Sequence, residues 1–237
     1  MTYEKDMAEE VIRWKRHLVR RPSLFERTSK KAQNKLNGLI PEKVHTVMTE
    51  SIKKMVQATL VGSNITTFKK DIVHLSLEER EKLVKESIKT FQKTAAVEGA
   101  GTGAGGIFLG LADFPLLLSI KMKFLFEAAN LYGYDTKEYE ERLFLLYVFQ
   151  LAFSSEEHRE SLLELIENWD ERKDELKEMD WRVFQQEYRD YIDLVKMLQL
   201  MPGIGAVVGG IANYKLLQHL GECAMNAYRI RKLKEID

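Results

Sequence analysis

Ten of the fourteen glycines lie within or beside two apolar runs, residues 99–120 and 198–214. Glycine costs a helix interior about 1 kcal/mol relative to alanine. Glycines therefore belong in an apolar helix only where the missing side chain is put to use. Gly101 and Gly105, Gly106 and Gly110, and Gly205 and Gly209 are each four residues apart. That spacing puts each pair on one helix face, where a second backbone can come close. Close approach gains dispersion and weak Cα–H···O contacts, which offset the poor propensity. The first run carries one charge, Asp113, and the second carries none. Extended by the helical pattern around them, residues 95–133 and 198–221 are expected to form two glycine-rich helical hairpins that pack together.

The remaining sequence supplies amphipathic helices to surround them. Met7, Val11, Trp14 and Leu18 recur at helical spacing from near Glu4 to Arg20, and Pro22 disfavours continuation. Ser23–Glu26 reads as a capping box opening a second helix. Pro41 opens a third, with Val44, Met48, Ile52, Met55 and Thr59 inward and Gly62 as its left-handed cap. Ser76–Glu79 is another capping box, followed by a stripe of Leu83 or Val84, Ile88, Phe91 and Ala95. Lys121 and Lys123 close the first apolar run. Gly133 and Tyr134 make a turn, Asp135–Glu138 caps the next helix, and that helix ends near Phe153, with Ser154–Glu157 capping its successor. Tyr188, Tyr191, Val195 and Leu198 lead into the second run, and Leu217, Ala224, Tyr228 and Leu233 continue it. No alternating strand survives. The expectation is one all-α domain over residues 1–237, with eight to ten helices and no linker.

Lys plus Arg and Asp plus Glu both number 36, so the chain has no net charge and lacks the footprint of a nucleic-acid binder. The charge is nevertheless segregated. Residues 13–35 carry nine bases and one acid, within basic N-terminal helices spanning 1–40. Residues 156–193 carry fourteen acids and six bases, in a segment (155–193) expected to be exposed. Arg13, Lys15, Arg16, Arg20 and Arg21 could face an anionic membrane surface. They could equally pair with the acidic segment or form a solvated face. The opening residues lack the apolar core of a signal peptide, which points to the cytoplasm, with a peripheral position on the inner membrane face as an extension.

Three readings of the glycine-rich runs stay open: a buried core, insertion into a bilayer, or a phosphate-cradling loop. A spanning helix needs roughly 20 apolar residues. The first run reaches that only with Asp113 and Pro115 included, so a shallow hairpin with Asp113 near the bend suits it better. Gly101–Gly106 fits G-x-G-x-x-G, but a helix precedes it where a dinucleotide site needs a strand. Asp113 reads as a helix cap, or as a buried acid or base for proton chemistry. His219 and Cys223 share a helix face, but two potential ligands make no metal site, and no cofactor motif occurs.

Gly110-Leu-Ala-Asp113-Phe-Pro115 and Ala128-Ala-Asn-Leu-Tyr-Gly-Tyr134-Asp135 resemble the EcsC family. Pro202 to Gly210, Asn213-Tyr214-Lys215 and the ending Ala227-Tyr-Arg229-Ile-Arg231 are similar to it as well, as is Trp14 with the helix leading to Pro41. The family takes its name from an operon that also encodes the ATPase and membrane subunit of an ABC transporter. The resemblance implies a membrane connection and no catalytic residue. It carries over Gly110, Asp113, Pro115, Gly133, Tyr134, Asp135, Asn213, Tyr214, Arg229 and Arg231 as signature or ligand positions. The leading expectation is a non-enzymatic, membrane-associated accessory protein whose partner is a membrane surface or membrane protein. The alternatives are a soluble lipid- or small-molecule-binding module, with Asp113 or Asp135 orienting the ligand, and an enzyme using Asp113.

Overall fold

A computed structural model describes residues 2–20, 42–62, 72–103, 106–154, 156–178 and 206–236. These residues form eight helices: α1 (Thr2–Leu18), α2 (Glu42–Val61), α3 (Leu77–Gly103), α4 (Gly106–Tyr132), α5 (Tyr139–Phe153), α6 (Glu156–Glu167), α7 (Trp169–Glu178) and α8 (Ala206–Ile236). No strand occurs among them, and they build one all-α domain.

The longest packing seam joins α3 and α8. Numbers fall along α3 as they rise along α8. Gly210 meets Ala96 and Ala100, Gly221 meets Ile88, and Arg229 meets Glu81, so the two helices are antiparallel. A Cβ at Gly210 would stand 3.1 Å from the Ala96 carbonyl oxygen. A Cβ at Gly221 would stand 2.8 Å from Ile88. Both glycines are therefore spent on close approach; Gly210 lies in the second apolar run and Gly221 beyond it, and neither belongs to the three pairs singled out by spacing.

Along α3 lies α4, with Phe91 and Phe124 edge to face at 5.8 Å. It also touches α8 through Lys121 and Asn213. Buried at every position from Leu143 to Phe153, α5 forms the centre of the bundle, as expected of a helix apolar all round. Against α4 and α5 packs α2, and α1 crosses to α8.

Local signals explain most boundaries. Ser76 and Glu79 form the reciprocal capping box: the Ser76 N–H donates to Glu79 Oε2 at 2.8 Å, and the Glu79 N–H donates to Ser76 Oγ at 3.3 Å. Gly62 (φ 72°) and Gly133 (φ 94°) hold the left-handed conformations that end α2 and α4. Met48, Ile52, Met55 and Thr59 are buried on α2, and Val84 and Ala95 on α3.

Several expectations change. Asp113 lies inside a helix, not at its start or in a turn between two helices, because α4 begins at Gly106 and continues through Pro115. Asp135 does not cap α5. Glu138 occupies that position without a side-chain bond, while Asp135 Oδ1 accepts from the Lys137 N–H at 3.0 Å in a local turn. The Ser154 hydroxyl donates back to the Leu151 carbonyl at 3.1 Å. Over its described residues, 156–178, the acidic segment is exposed on its charged face only, since Leu162, Leu163, Ile166, Trp169 and Leu176 are buried in the core.

Arg21, the Ser23–Glu26 box, Gly105, Gly205 and residues 179–205, with Tyr188, Tyr191, Val195 and Leu198, lie outside the described residues, and so do the tips of both expected hairpins. Gly101 lies in α3, Gly106 and Gly110 in α4, and Gly209 in α8.

Candidate functional site

At the end of the bundle where α8 finishes, two buried ion pairs tie it to its neighbours. Arg229 grips Glu81 of α3 with two bonds, Nε to Oε1 at 2.7 Å and Nη2 to Oε2 at 2.6 Å. Its Nη1 donates to Glu10 of α1 at 2.7 Å. The Tyr3 and Tyr132 hydroxyls donate to Glu81 at 2.7 and 3.1 Å. Burial works to raise the Glu81 carboxyl, but the hydrogen bonds and charge of Arg229 outweigh it and hold the group below its ordinary value. Burial, then the neighbouring carboxylate, pushes the Tyr132 hydroxyl up. Glu81 thus stays ionised and Tyr132 stays a donor.

The second pair joins Arg231 to Glu141 of α5, Nη1 to Oε2 at 2.7 Å, and the Tyr228 hydroxyl donates to the other carboxylate oxygen at 2.7 Å. The Arg231 guanidinium lies 3.9 Å from the Tyr134 ring centroid and 4.5 Å from that of Phe144. Tyr134 stacks on Tyr228, Tyr228 on Tyr132, and Lys232 stands 4.4 Å over Tyr134. The Tyr134 hydroxyl donates to Glu235 at 2.7 Å. Tyr134, Arg229 and Arg231 are therefore brought together, but as a lock between helices. The bidentate pair and stacked rings position α1, α3, α4, α5 and α8.

The other signature residues sit apart from this lock. Asp113 is partly exposed within α4, and Pro115 is exposed. Gly110 lies in the same helix. Asn213 is buried on α8, whereas Tyr214 beside it is 40% exposed. On α1, Arg13 and Arg16 are exposed, and Lys15 pairs with Glu167 of the acidic segment at 2.6 Å. That pair meets one of the alternatives raised for the basic stretch. Arg20, just past α1, is exposed.

Three functional-looking residues escaped the sequence reading: Glu81, Glu141 and Lys121. Glu81 carried a signal, because it extends the Val84, Ile88, Phe91 and Ala95 stripe by one step. Lys121 carried another, with Leu117, Leu118, Phe124 and Leu125 three or four residues away on the same face. Far from closing the apolar run, Lys121 is 0% exposed. Its amine donates to Asn213 Oδ1 at 3.4 Å. Near the middle of α8, His219 Nε2 lies 3.1 Å from the Ala152 carbonyl oxygen and 3.9 Å from Cys223 Sγ. Among the described residues, no group of three His, Cys, Asp or Glu side chains could hold a metal.

These features define a helical-bundle protein, locked at one end by buried arginine–glutamate pairs and seamed at the other by glycine and alanine. The EcsC protein family matches residues 5–233, and the chain belongs to that family. It is 60% identical to Protein EcsC of Bacillus subtilis (strain 168) over 235 residues, covering 99% of this chain and 98% of that protein. It is 26% identical over 250 residues to Uncharacterized protein YdbA of the same organism, covering 96% and 92%. No solved structure matches the chain.

Proposed function

We propose that the protein is a non-enzymatic accessory protein that lies peripherally on a membrane through the glycine-rich end of its α3–α8 seam. The observation that carries this is an exposed apolar patch there. Val97 is 72% exposed, Ile211 52% and Tyr214 40%. Ala96 and Gly210 are the contact points of two antiparallel helices. One residue past the contact is a turn of about 100° on each helix, and opposite chain directions carry both side chains to the same side. Val97 and Ile211 therefore stand together, with Tyr214 following a turn later, while Phe91 and Asn213 face α4 on the other side. Exposed Lys93 and Lys215 flank the patch.

An apolar patch rimmed by lysines suits the boundary between headgroups and acyl chains of an anionic leaflet. Each lysine near such a surface contributes about 1 kcal/mol. No helix among the described residues is long and apolar enough to cross a membrane, so the contact proposed is shallow. Arg13 and Arg16 of α1 add positive charge to the same protein. The link to an ABC transporter rests on the family resemblance alone, and is proposed as the membrane process served.

Flotation with phosphatidylglycerol-rich vesicles tests this reading. The protein is expected to float at low salt and less so at high salt. Val97→Asp with Ile211→Asp is expected to cut the floated fraction at least about tenfold, with the helical spectrum unchanged. Protein that stays at the bottom at low salt would contradict peripheral binding.

A further inference from the structure

We propose that Lys121 and Asn213 form the polar end of a binding site between α4 and α8 for an acidic amphiphile, a carboxylate or phosphate headgroup on an apolar tail. The argument starts from how this fold treats its buried cations. Arg229 and Arg231 are both buried, and each meets a carboxylate at 2.6–2.7 Å. Lys121 is buried more completely than either, yet among the described residues it meets no carboxylate. Its amine has one long bond, to a neutral amide oxygen at 3.4 Å. An ammonium group carries three donors, so two remain unfilled among the described residues. A buried ion without a counter-charge costs several kcal/mol, and methionine would fill the same space without that cost. An oxyanion supplies both the missing charge and the missing acceptors.

The surroundings select the rest of the ligand. Leu117, Leu118, Phe124 and Leu125, one turn from Lys121 along α4, are all buried. They offer an apolar tail contact and a free inorganic anion nothing. Asn213 lies three residues beyond Gly210, where α8 comes close to Ala96 and Ala100 of α3. The inference stands on the buried charge and does not require the membrane reading, since flotation reads the exposed patch and not Lys121.

Fluorescence of cis-parinaric acid on lipid-stripped protein tests the proposal. Saturable binding is expected, competed by palmitate or lysophosphatidate but not by palmityl alcohol or millimolar inorganic phosphate. Lys121→Met is expected to weaken binding at least tenfold and to abolish the preference for acid over alcohol, while keeping the far-ultraviolet circular dichroism of the parent. No saturable binding, equal competition by acid and alcohol in the unaltered protein, or undiminished binding by Lys121→Met would overturn it. Competition by inorganic phosphate would replace the amphiphile with a free oxyanion and overturn the assignment of a tail. The acid–alcohol comparison uses only the unaltered chain, so the test stands even if a variant folds poorly.

Discussion

Replacing Arg229 with methionine is expected to lower the unfolding free energy by about 3–5 kcal/mol, seen as a fall in the urea midpoint with little change in slope. The reason lies in what is left behind. Glu81 is 1% exposed on its side chain, and among the described residues its charge is balanced by Arg229 alone, the Tyr3 and Tyr132 hydroxyls supplying bonds but no charge. Without the guanidinium, Glu81 either takes up a proton or stays ionised in an apolar site. The second change, Glu81→Gln in the Arg229→Met background, removes the stranded charge and leaves an amide whose oxygen accepts from one tyrosine hydroxyl and whose NH2 donates to the other. It is expected to restore part of the loss. The sign with pH follows from the same pair. The Glu81 carboxyl is held below its ordinary value, so the pair stabilises above the unfolded-state pKa, and that contribution is lost as pH falls through the folded-state pKa. A loss under about 1 kcal/mol, typical of an exposed pair, would show that water reaches the pair.

Lys121 gives a pH dependence of the same sign in a higher window, above neutrality. Burial pushes its amine down from 10.5 to about 7. Between those values the unfolded chain keeps a proton that the folded chain has released, so stability rises with pH. The slope approaches about 1.4 kcal/mol per pH unit, or roughly 2–3 kcal/mol across two units above neutrality. Below about pH 7 both states hold the proton and the cost is complete. Above about pH 10 the buried tyrosines reverse the trend, because burial first, and then Glu81 or Glu141, raises the hydroxyls of Tyr132 and Tyr228. Urea midpoints of lipid-stripped protein from pH 7 to pH 9 are expected to climb. The Lys121→Met variant is expected to be flat over that range and more stable than the parent at pH 7. An equal slope in both proteins would assign the dependence elsewhere.

The helical architecture could be read from the chain because its causes are local. The stripe through Met48, Ile52 and Met55, the Ser76–Glu79 box, and glycines at 62 and 133 each depend on residues a few positions apart. The lock could not be read that way. Arg229 and Glu81 are 148 positions apart, and periodicity tells which face a charge is on without telling what meets it there. Asp135 matched a cap by its spacing to Glu138, but Gly133 turns the backbone left-handed first, and the carboxylate is used inside that turn. In the acidic segment, Leu162, Ile166 and Trp169 kept helical spacing beneath a dense charge pattern that obscured them. Asn213 was marked by resemblance only, and its neighbour Lys121 becomes visible once α4 and α8 are set side by side.

The seam between α3 and α8 carries the whole arrangement, because it sets the register of the lock, the lysine and the exposed patch together. A Cβ placed at Gly210 would lie 3.5 Å from the Ala100 Cβ, at the short edge of the spacing a disulfide needs. In a Cys223→Ala background, Ala100→Cys with Gly210→Cys is therefore expected to oxidise to an intramolecular bridge, two mass units lighter and unreactive to maleimide. Two thiols that stay free under oxidant and react with maleimide in the folded protein would place these backbones apart and contradict the account.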